Sequence, residues 1–184
     1  MGESEAYSHM SSEGNIHTDD FTAIVTDYGQ SIQQLVYTYV KDQALAEDLT
    51  QEIFIKVFKK LDSFKQESTL KTWIYRIAIN HCKDYVRSWH YRQFIYDNDT
   101  VMHARSKDKS IDDKIVARSE EECLVHSVLG LPAKYREAVY LYYYEELTSK
   151  EISTLMNVRE NTVKTRLRRA RKMLKEKLGK EETT

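Results

Sequence analysis

The run TSKEISTLMNVRENTVKTRLRRARKMLKEKL, residues 148–178, contains two helices of unequal length divided by a tight turn. Thr148 is followed three residues later by Glu151, the reciprocal capping pair of a helix start. Ile152, Leu155 and Met156 then give a short apolar stripe, and Asn157-Val158 supplies the turn. From Glu160 onward, Val163, Leu167, Ala170, Leu174 and Leu178 recur at steps of 4, 3, 4 and 4, the buried side of an amphipathic helix. The opposite side carries Lys164, Thr165, Arg168, Arg169 and Lys172. A short capped helix, a turn and a longer basic helix are the parts of a helix-turn-helix. A basic helix alone also suits a solvated face or a membrane surface, but neither needs the capped helix before it.

The chemistry of duplex DNA accounts for the pattern. A major groove about 12 Å wide admits one helix, and Arg or Lys can bond guanine O6 and N7 together. Residues near the start of the inserted helix reach base edges, while the flanks meet phosphates. Lys164, Thr165, Arg168 and Arg169 are therefore the candidates for bases or nearby phosphates. Arg166 and Arg171 point to the flank and are candidate phosphate clamps.

Before this run, helical periodicity extends from Ile115 to Leu131, where Gly130 and Pro132 break it. Residues 133–147 form a further helical segment crowded with Tyr135, Tyr140, Tyr142, Tyr143 and Tyr144, read as packing and surface rather than base stacking. Residues 113–179 thus make one small helical domain, followed by a short tail, 180–184. Residues 97–112 lose the period and become rich in Asp, Lys, Ser and Arg, as a flexible linker does.

The first half reads as a second helical bundle, residues 19–96. Phe21, Ile24, Val25 and Tyr28 are succeeded by Ile32, Leu35, Val36, Tyr39 and Val40. Leu49, Ile53, Val57 and Leu61 follow at four-residue steps, with Phe54 and Phe58 beside them. After a polar break at 65–69, a third helix has Ile74, Ile77, Ala78, Cys82, Tyr85 and Trp89 as its expected apolar side. Three such helices joined by short breaks make a bundle. Residues 1–18 are polar and aperiodic, as a disordered N-terminal segment is.

Two polar faces of this bundle differ in chemistry. On the second helix, Glu47, Asp48, Gln51 and Glu52 are acidic with an amide. On the third, Arg76, Asn80, Lys83 and Arg87 are basic with an amide, at steps of 4, 3 and 4 and rimmed by aromatics. An acidic face repels DNA and suits a protein. A basic face beside a polar loop suits single-stranded nucleic acid, held by charge plus stacking or base pockets.

The totals agree with an all-α chain. Among 184 residues there are five Gly and one Pro, too few for the turns of a sheet protein. Residues 1–67 hold twelve Asp/Glu against five Lys/Arg, whereas residues 159–177 hold nine Lys/Arg against two Glu. Such asymmetry implies two partners of different sign. No apolar run approaches the roughly 18 residues of a membrane span, so a cytoplasmic protein is expected. Cys82 and Cys123 are not closely spaced and are expected as reduced thiols. His81 beside Cys82 could suggest zinc, but adjacent helical residues diverge by about 100° and no second ligand pair completes a set. No metal, cofactor, nucleotide-binding loop or catalytic constellation is expected, and no small-molecule substrate.

Four stretches resemble one family. AEDLTQEIF (46–54), LKTWIYRIAIN (70–80), LPAKYR (131–136) and NTVKTRLRRAR (161–171) are similar, in this order, to motifs of extracytoplasmic-function sigma factors. These belong to the bacterial sigma-70 family. The resemblance implies a sigma-2 domain, a linker and a sigma-4 domain containing the helix-turn-helix. It implies that Asp48, Gln51 and Glu52 contact core RNA polymerase. It further implies that Asn80, Lys83 and Asp84, with Lys65 and Ser68 of the 65–69 loop, receive the melted −10 element; Arg76 and Arg87 lie on the same basic face. The helix from Glu160 is then expected to read the −35 element as duplex. Relatives are commonly held by an anti-sigma factor, often membrane-bound, which makes such a partner an expectation here. Asn161 stands where Gly is common, Arg159 where Ser or Pro often sits, and Leu70 where Phe is frequent; Arg168 occupies a variable position. The runner-up reading is a helix-turn-helix regulator acting without polymerase docking. A binding protein with no DNA role would leave the basic helix unused.

Overall fold

The computed structural model describes residues 18–99 and 120–181, which form seven α-helices and no strand among them. They are α1 (Thr18–Val40), α2 (Gln43–Lys60), α3 (Leu70–Asp99), α4 (Glu120–Leu129), α5 (Ala133–Tyr143), α6 (Ser149–Met156) and α7 (Glu160–Glu181). A 3-10 turn, Leu61–Ser63, closes α2. The chain falls into two compact units, residues 1–82 and 83–184, so the division lies inside α3. Three of the residues assigned to the linker, 97–99, are helical; the rest of it lies outside the described residues. So do residues 1–17, 100–119 and 182–184.

In the first unit, α1 and α2 form an antiparallel pair joined by two residues. The Asp42 carboxylate accepts a hydrogen bond from the Leu45 amide at 2.9 Å and so caps α2. Ile24, Ile32, Leu35 and Val36 of α1 meet Leu49, Ile53 and Val57 of α2, all fully or nearly fully buried. Of the periodic positions on α1, Ile24, Tyr28, Ile32, Leu35 and Val36 are core, whereas Val25 is exposed and Phe21, Tyr39 and Val40 are half-buried. On α3 the stripe is rotated. Leu70, Ile74, Tyr75, Ala78, Ile79 and Cys82 are buried, whereas Ile77 and Tyr85 are half-buried and Trp89 is 44% exposed. The expected side from Ile74 through Trp89 is corrected accordingly. Tyr75 and Ile79 take the place of Ile77 and Tyr85, because α3 turns the edge of its apolar arc inward. Thr69 opens α3, its hydroxyl accepting from the Thr72 amide at 3.2 Å.

In the second unit, α7 runs against α4, α5 and α6. Val163, Leu167 and Ala170 are buried, while Leu174 and Leu178 are half-buried. Ala138, Val139, Leu141, Ile152, Leu155 and Met156 are buried as well, and Ala170 clusters with Leu131 and Val139. Gly130 ends α4, and the buried Arg136 guanidinium donates to the Leu129 and Leu131 carbonyls. It thereby satisfies acceptors that a helix end otherwise leaves open. The expected helix over 115–131 is seen from Glu120 to Leu129.

The capping box is complete. The Thr148 amide donates to Glu151 Oε2 at 2.8 Å, and the Glu151 amide donates to Thr148 Oγ1 at 3.3 Å. α6 ends on Asn157 in the left-handed region, φ 52° and ψ 51°, which Asn tolerates better than most residues. Thr148→Ala is expected to cost ~1 kcal/mol of stability. A urea melt followed by circular dichroism checks this, with Thr148→Ser near wild type.

Candidate functional site

The α6–turn–α7 element presents the basic helix as a ridge. Because Val163, Leu167 and Ala170 are buried, the opposite arc of α7 is displayed: Asn161, Lys164, Arg168, Arg169 and Lys172 are exposed. Asn161 is not the cap of this helix. It lies inside the first turn, and its carbonyl accepts from the Thr165 hydroxyl at 2.8 Å. The chain enters α7 through Arg159, whose carbonyl accepts from the Thr162 amide at 2.8 Å. The Gly-to-Asn departure therefore costs the fold nothing.

The candidate DNA residues do not stand alike. Lys164 is paired with Glu160 at 2.7 Å, an exposed ion pair that a phosphate or base can displace at little cost. Arg166 is half-buried, with Nη1 3.9 Å from Met156 Sδ on α6. Arg171 donates from Nε to the Tyr143 hydroxyl at 2.9 Å. Arg166 thus lies on the side of α7 that meets α6, and Arg171 on a side that meets α5. Arg169 lines one cleft with Lys134 and Tyr135 of α5. The Arg169 guanidinium beside it chiefly, with the charge of Lys134, holds the Tyr135 hydroxyl below its ordinary pKa despite an opposing effect of burial. Arg168 is thus the long cation best placed at the crest of the ridge.

Of the tyrosines, Tyr140 is buried, and that burial together with Glu145 pushes its hydroxyl pKa far up. Tyr143 and Tyr144 are exposed, and the Tyr144 ring stacks on Tyr140 at 5.4 Å. The reading as packing and surface describes them.

On α2, Asp48, Gln51 and Glu52 are all exposed on one side. Glu47 belongs elsewhere, since its carboxylate accepts from Gln33 of α1 and Gln43. Two apolar residues not read as part of this face join it. Ile55, seven residues from Asp48, is 53% exposed among the charges. Phe58 was expected beside the core, yet it is 54% exposed, its ring against Phe21 at 4.9 Å. Their signal was the helical period itself, which puts position 55 almost directly over 48 and 52. His81 of α3 underlies the face: its Nε2 is 3.0 Å from Glu52 Oε2 and its Nδ1 is 2.6 Å from Lys56 Nζ. The imidazole thus lies between a carboxylate and an ammonium; no cluster of three or more metal-ligating side chains occurs among the described residues.

On α3, Arg76, Asn80, Lys83 and Arg87 recur on one side of the helix. Asn80, Asp84 and Arg87 are exposed, Arg76 and Lys83 half-buried. Arg87 and Asp84 form an exposed pair at 3.7 Å. Lys65 is exposed and Ser68 half-buried in the loop before α3. Gln66 in that loop is left-handed at φ 55°, and Phe64 packs on Trp73 at 5.2 Å. Loop and Asn80 are not adjacent: ten residues of helix, about 15 Å, lie between Leu70 and Asn80.

The comparisons with known proteins match two separate segments of the chain. Residues 24–91 match the model of Sigma-70 region 2, and residues 121–174 match that of Sigma-70, region 4. The chain is 32% identical over 168 residues to the ECF RNA polymerase sigma factor SigW of Bacillus subtilis, covering 87% of this chain and 89% of that protein. It is 33% identical over 164 residues to the RNA polymerase sigma-H factor of Pseudomonas aeruginosa, covering 84% and 83%. Among solved structures, the fold is similar to that of the sigma factor RpoE of Bartonella quintana in complex with the anti-sigma factor NepR. That likeness has a TM-score of 0.70 at 22% identity and covers 88% of this chain and 98% of that one. With a region 2 unit, a region 4 unit and full-length relatives on this level of identity, the chain belongs to the extracytoplasmic-function sigma factors of the sigma-70 family.

Proposed function

We propose that the chain docks on core RNA polymerase through the α2 face and directs it to promoters bearing −10 and −35 elements. The observation that carries this reading is the pairing, in one chain, of an exposed acidic helix face and a basic helix-turn-helix. A regulator working on duplex DNA alone has no use for Asp48, Gln51, Glu52 and Ile55 displayed together. Ile55 supplies the apolar centre and the acids the polar rim, the usual anatomy of a protein interface.

α7 enters the major groove of the −35 element, with Lys164, Thr165 and Arg168 toward base edges. Arg166 and Arg171 hold the flanking phosphates. The α3 face receives the −10 element once it is single-stranded: Arg76, Lys83 and Arg87 along the backbone, Asn80 and Asp84 toward bases, Lys65 and Ser68 at the loop. Extruding a base from the stack costs a few kcal/mol, so strand opening depends on a site that takes the flipped base. The chain acts by binding and by capture of the opened strand, without a chemical step of its own. Its place of action is the cytoplasm, where polymerase and chromosome are. An anti-sigma factor is a further partner, a reading supported by relatives of this fold solved with such proteins. No described helix is long and apolar enough to cross a membrane.

Run-off transcription tests the reading. Purified chain and bacterial core polymerase, given a pool of promoter-sized genomic fragments from the source organism, are expected to yield discrete transcripts that vanish when the chain is omitted. Their start sites define both elements. Specific duplex binding without any core-dependent transcript would overturn polymerase docking and establish the plain regulator.

A further inference from the structure

We infer that the cleft between the start of α5 and the first half of α7 seats a backbone phosphate of duplex DNA. Lys134 and Tyr135, which lie outside the helix-turn-helix, thereby become part of the DNA interface. The inference rests on the reading of α7 as the DNA-facing helix and adds a site to it.

The cleft has a volume of about 200 Å³ and is lined by Lys134, Tyr135, Thr162, Thr165, Arg166 and Arg169. Three of these six are cations, three carry hydroxyls, and none is a carboxylate. Its three cations and three hydroxyls favour an anion. The donors come from two helices, an arrangement that suits a tetrahedral oxyanion better than the flat edge of a base. Thr165 is already committed, its hydroxyl donating to the Asn161 carbonyl at 2.8 Å. Lys134, Arg166, Arg169, Thr162 and the Tyr135 hydroxyl remain to serve the ligand.

Tyr135 gives the site its rigidity. Its ring packs against the buried cluster of Leu131, Val139 and Ala170, and the Lys134 ammonium lies 5.1 Å from the ring centroid. The hydroxyl shares the cleft with the Arg169 guanidinium and carries a proton that it can donate. Ring, ammonium and guanidinium are thus placed before any ligand arrives, so little side-chain freedom is lost on binding.

Position selects the source of the anion. Thr162, Arg166 and Arg169 form the flank of α7 beside the crest that bears Thr165 and Arg168. When such a crest lies in the major groove, its flank faces the phosphate row of one strand, and contacts there fix the register of the helix. Arg169 then serves that row, beside Tyr135, rather than a base.

The test uses the full chain and two short labelled duplexes of unrelated sequence, with anisotropy read from about 50 to 200 mM salt, the range over which phosphate contacts dominate affinity. Lys134→Gln is expected to weaken both duplexes alike and to flatten the slope of log affinity against log salt by about 0.9, the loss of one phosphate contact. Tyr135→Phe is expected to weaken both with the slope unchanged, because a hydroxyl carries no charge. Lys134 is exposed, so the first variant keeps the fold, which circular dichroism checks. Arg168→Ala serves as the reference on the crest. If Arg168→Ala weakens binding while Lys134→Gln changes neither affinity nor slope, the phosphate seat is overturned and α7 still faces DNA. If neither variant has an effect, the DNA reading of α7 falls with it. A loss confined to one of the two sequences would make Lys134 a base contact and also overturn the seat.

Discussion

Asp48→Lys combined with Glu52→Lys is expected to abolish binding to core RNA polymerase, a loss of at least ~100-fold, while the helical content stays at wild type. Both side chains are exposed, so the fold does not depend on their charge. A charge paired across an interface contributes about 2–5 kcal/mol when its partner is left unmatched, and reversal adds repulsion to that loss. Glu52 has a second tie, to His81 at 3.0 Å, so its reversal also places an ammonium beside Lys56 and the imidazole. Asp48→Lys alone separates the two effects: most of the loss is expected from it, with the melting midpoint unchanged. Ile55→Asp extends the test to the apolar centre of the face. Titration calorimetry with core polymerase reads all three, and wild-type affinity for the double variant would sink the assignment of this face.

The second large effect is expected at Ile152→Ala. This side chain is fully buried in the eight-residue α6, under α7. Removing a buried Ile side chain to Ala costs about 2–5 kcal/mol, in part because a short helix held on both sides cannot collapse into the cavity. A unit of this size has a net stability of the same order, since small domains bury the smallest share of their surface. The helix-turn-helix is therefore expected to melt at or near ambient temperature and −35 duplex binding to be lost, while polymerase binding persists. A urea titration read by circular dichroism should show one early transition and one unchanged. A single transition shifted as a whole would mean that the two units unfold together. Loss of polymerase binding in this variant would contradict the placement of docking on α2.

How far the sequence could be read depended on whether a signal was local. The capping box at Thr148 and Glu151, the turn at Asn157 and the α7 stripe of Val163, Leu167 and Ala170 depend on spacing alone, and each is where the spacing put it. The same holds for the stripe Leu49, Ile53, Val57 and Leu61 on α2, and for the break before α3. The all-α class and the two-part organisation follow from these periods together with the scarcity of Gly and Pro and the opposite charge of the chain ends. The polar faces of α2 and α3 were legible for the same reason: a residue on the solvent side of an amphipathic helix is identified by its distance from the apolar stripe.

Tertiary packing decided the rest, because it selects which edge of a wide apolar arc is buried and which neighbours a long side chain meets. On α3 the candidates Ile74, Tyr75, Ile77, Ala78, Ile79 and Cys82 span more of the helix than one contact can cover. Only packing turned Tyr75 and Ile79 inward and left Trp89 exposed. Phe58 and Ile55 look like core residues by hydropathy, yet α1 covers only one side of α2 and leaves them at the surface among Asp48, Gln51 and Glu52. His81 meets Glu52 and Lys56 across two helices, a contact between positions 25 and more residues apart that no periodicity encodes. The proximity of Arg169 to Tyr135, and the cleft that they line with Lys134, likewise exist because α5 crosses α7 where it does. Local spacing determines which helices form and which sides they show to water. The juxtaposition of side chains from different helices arises only when those helices pack.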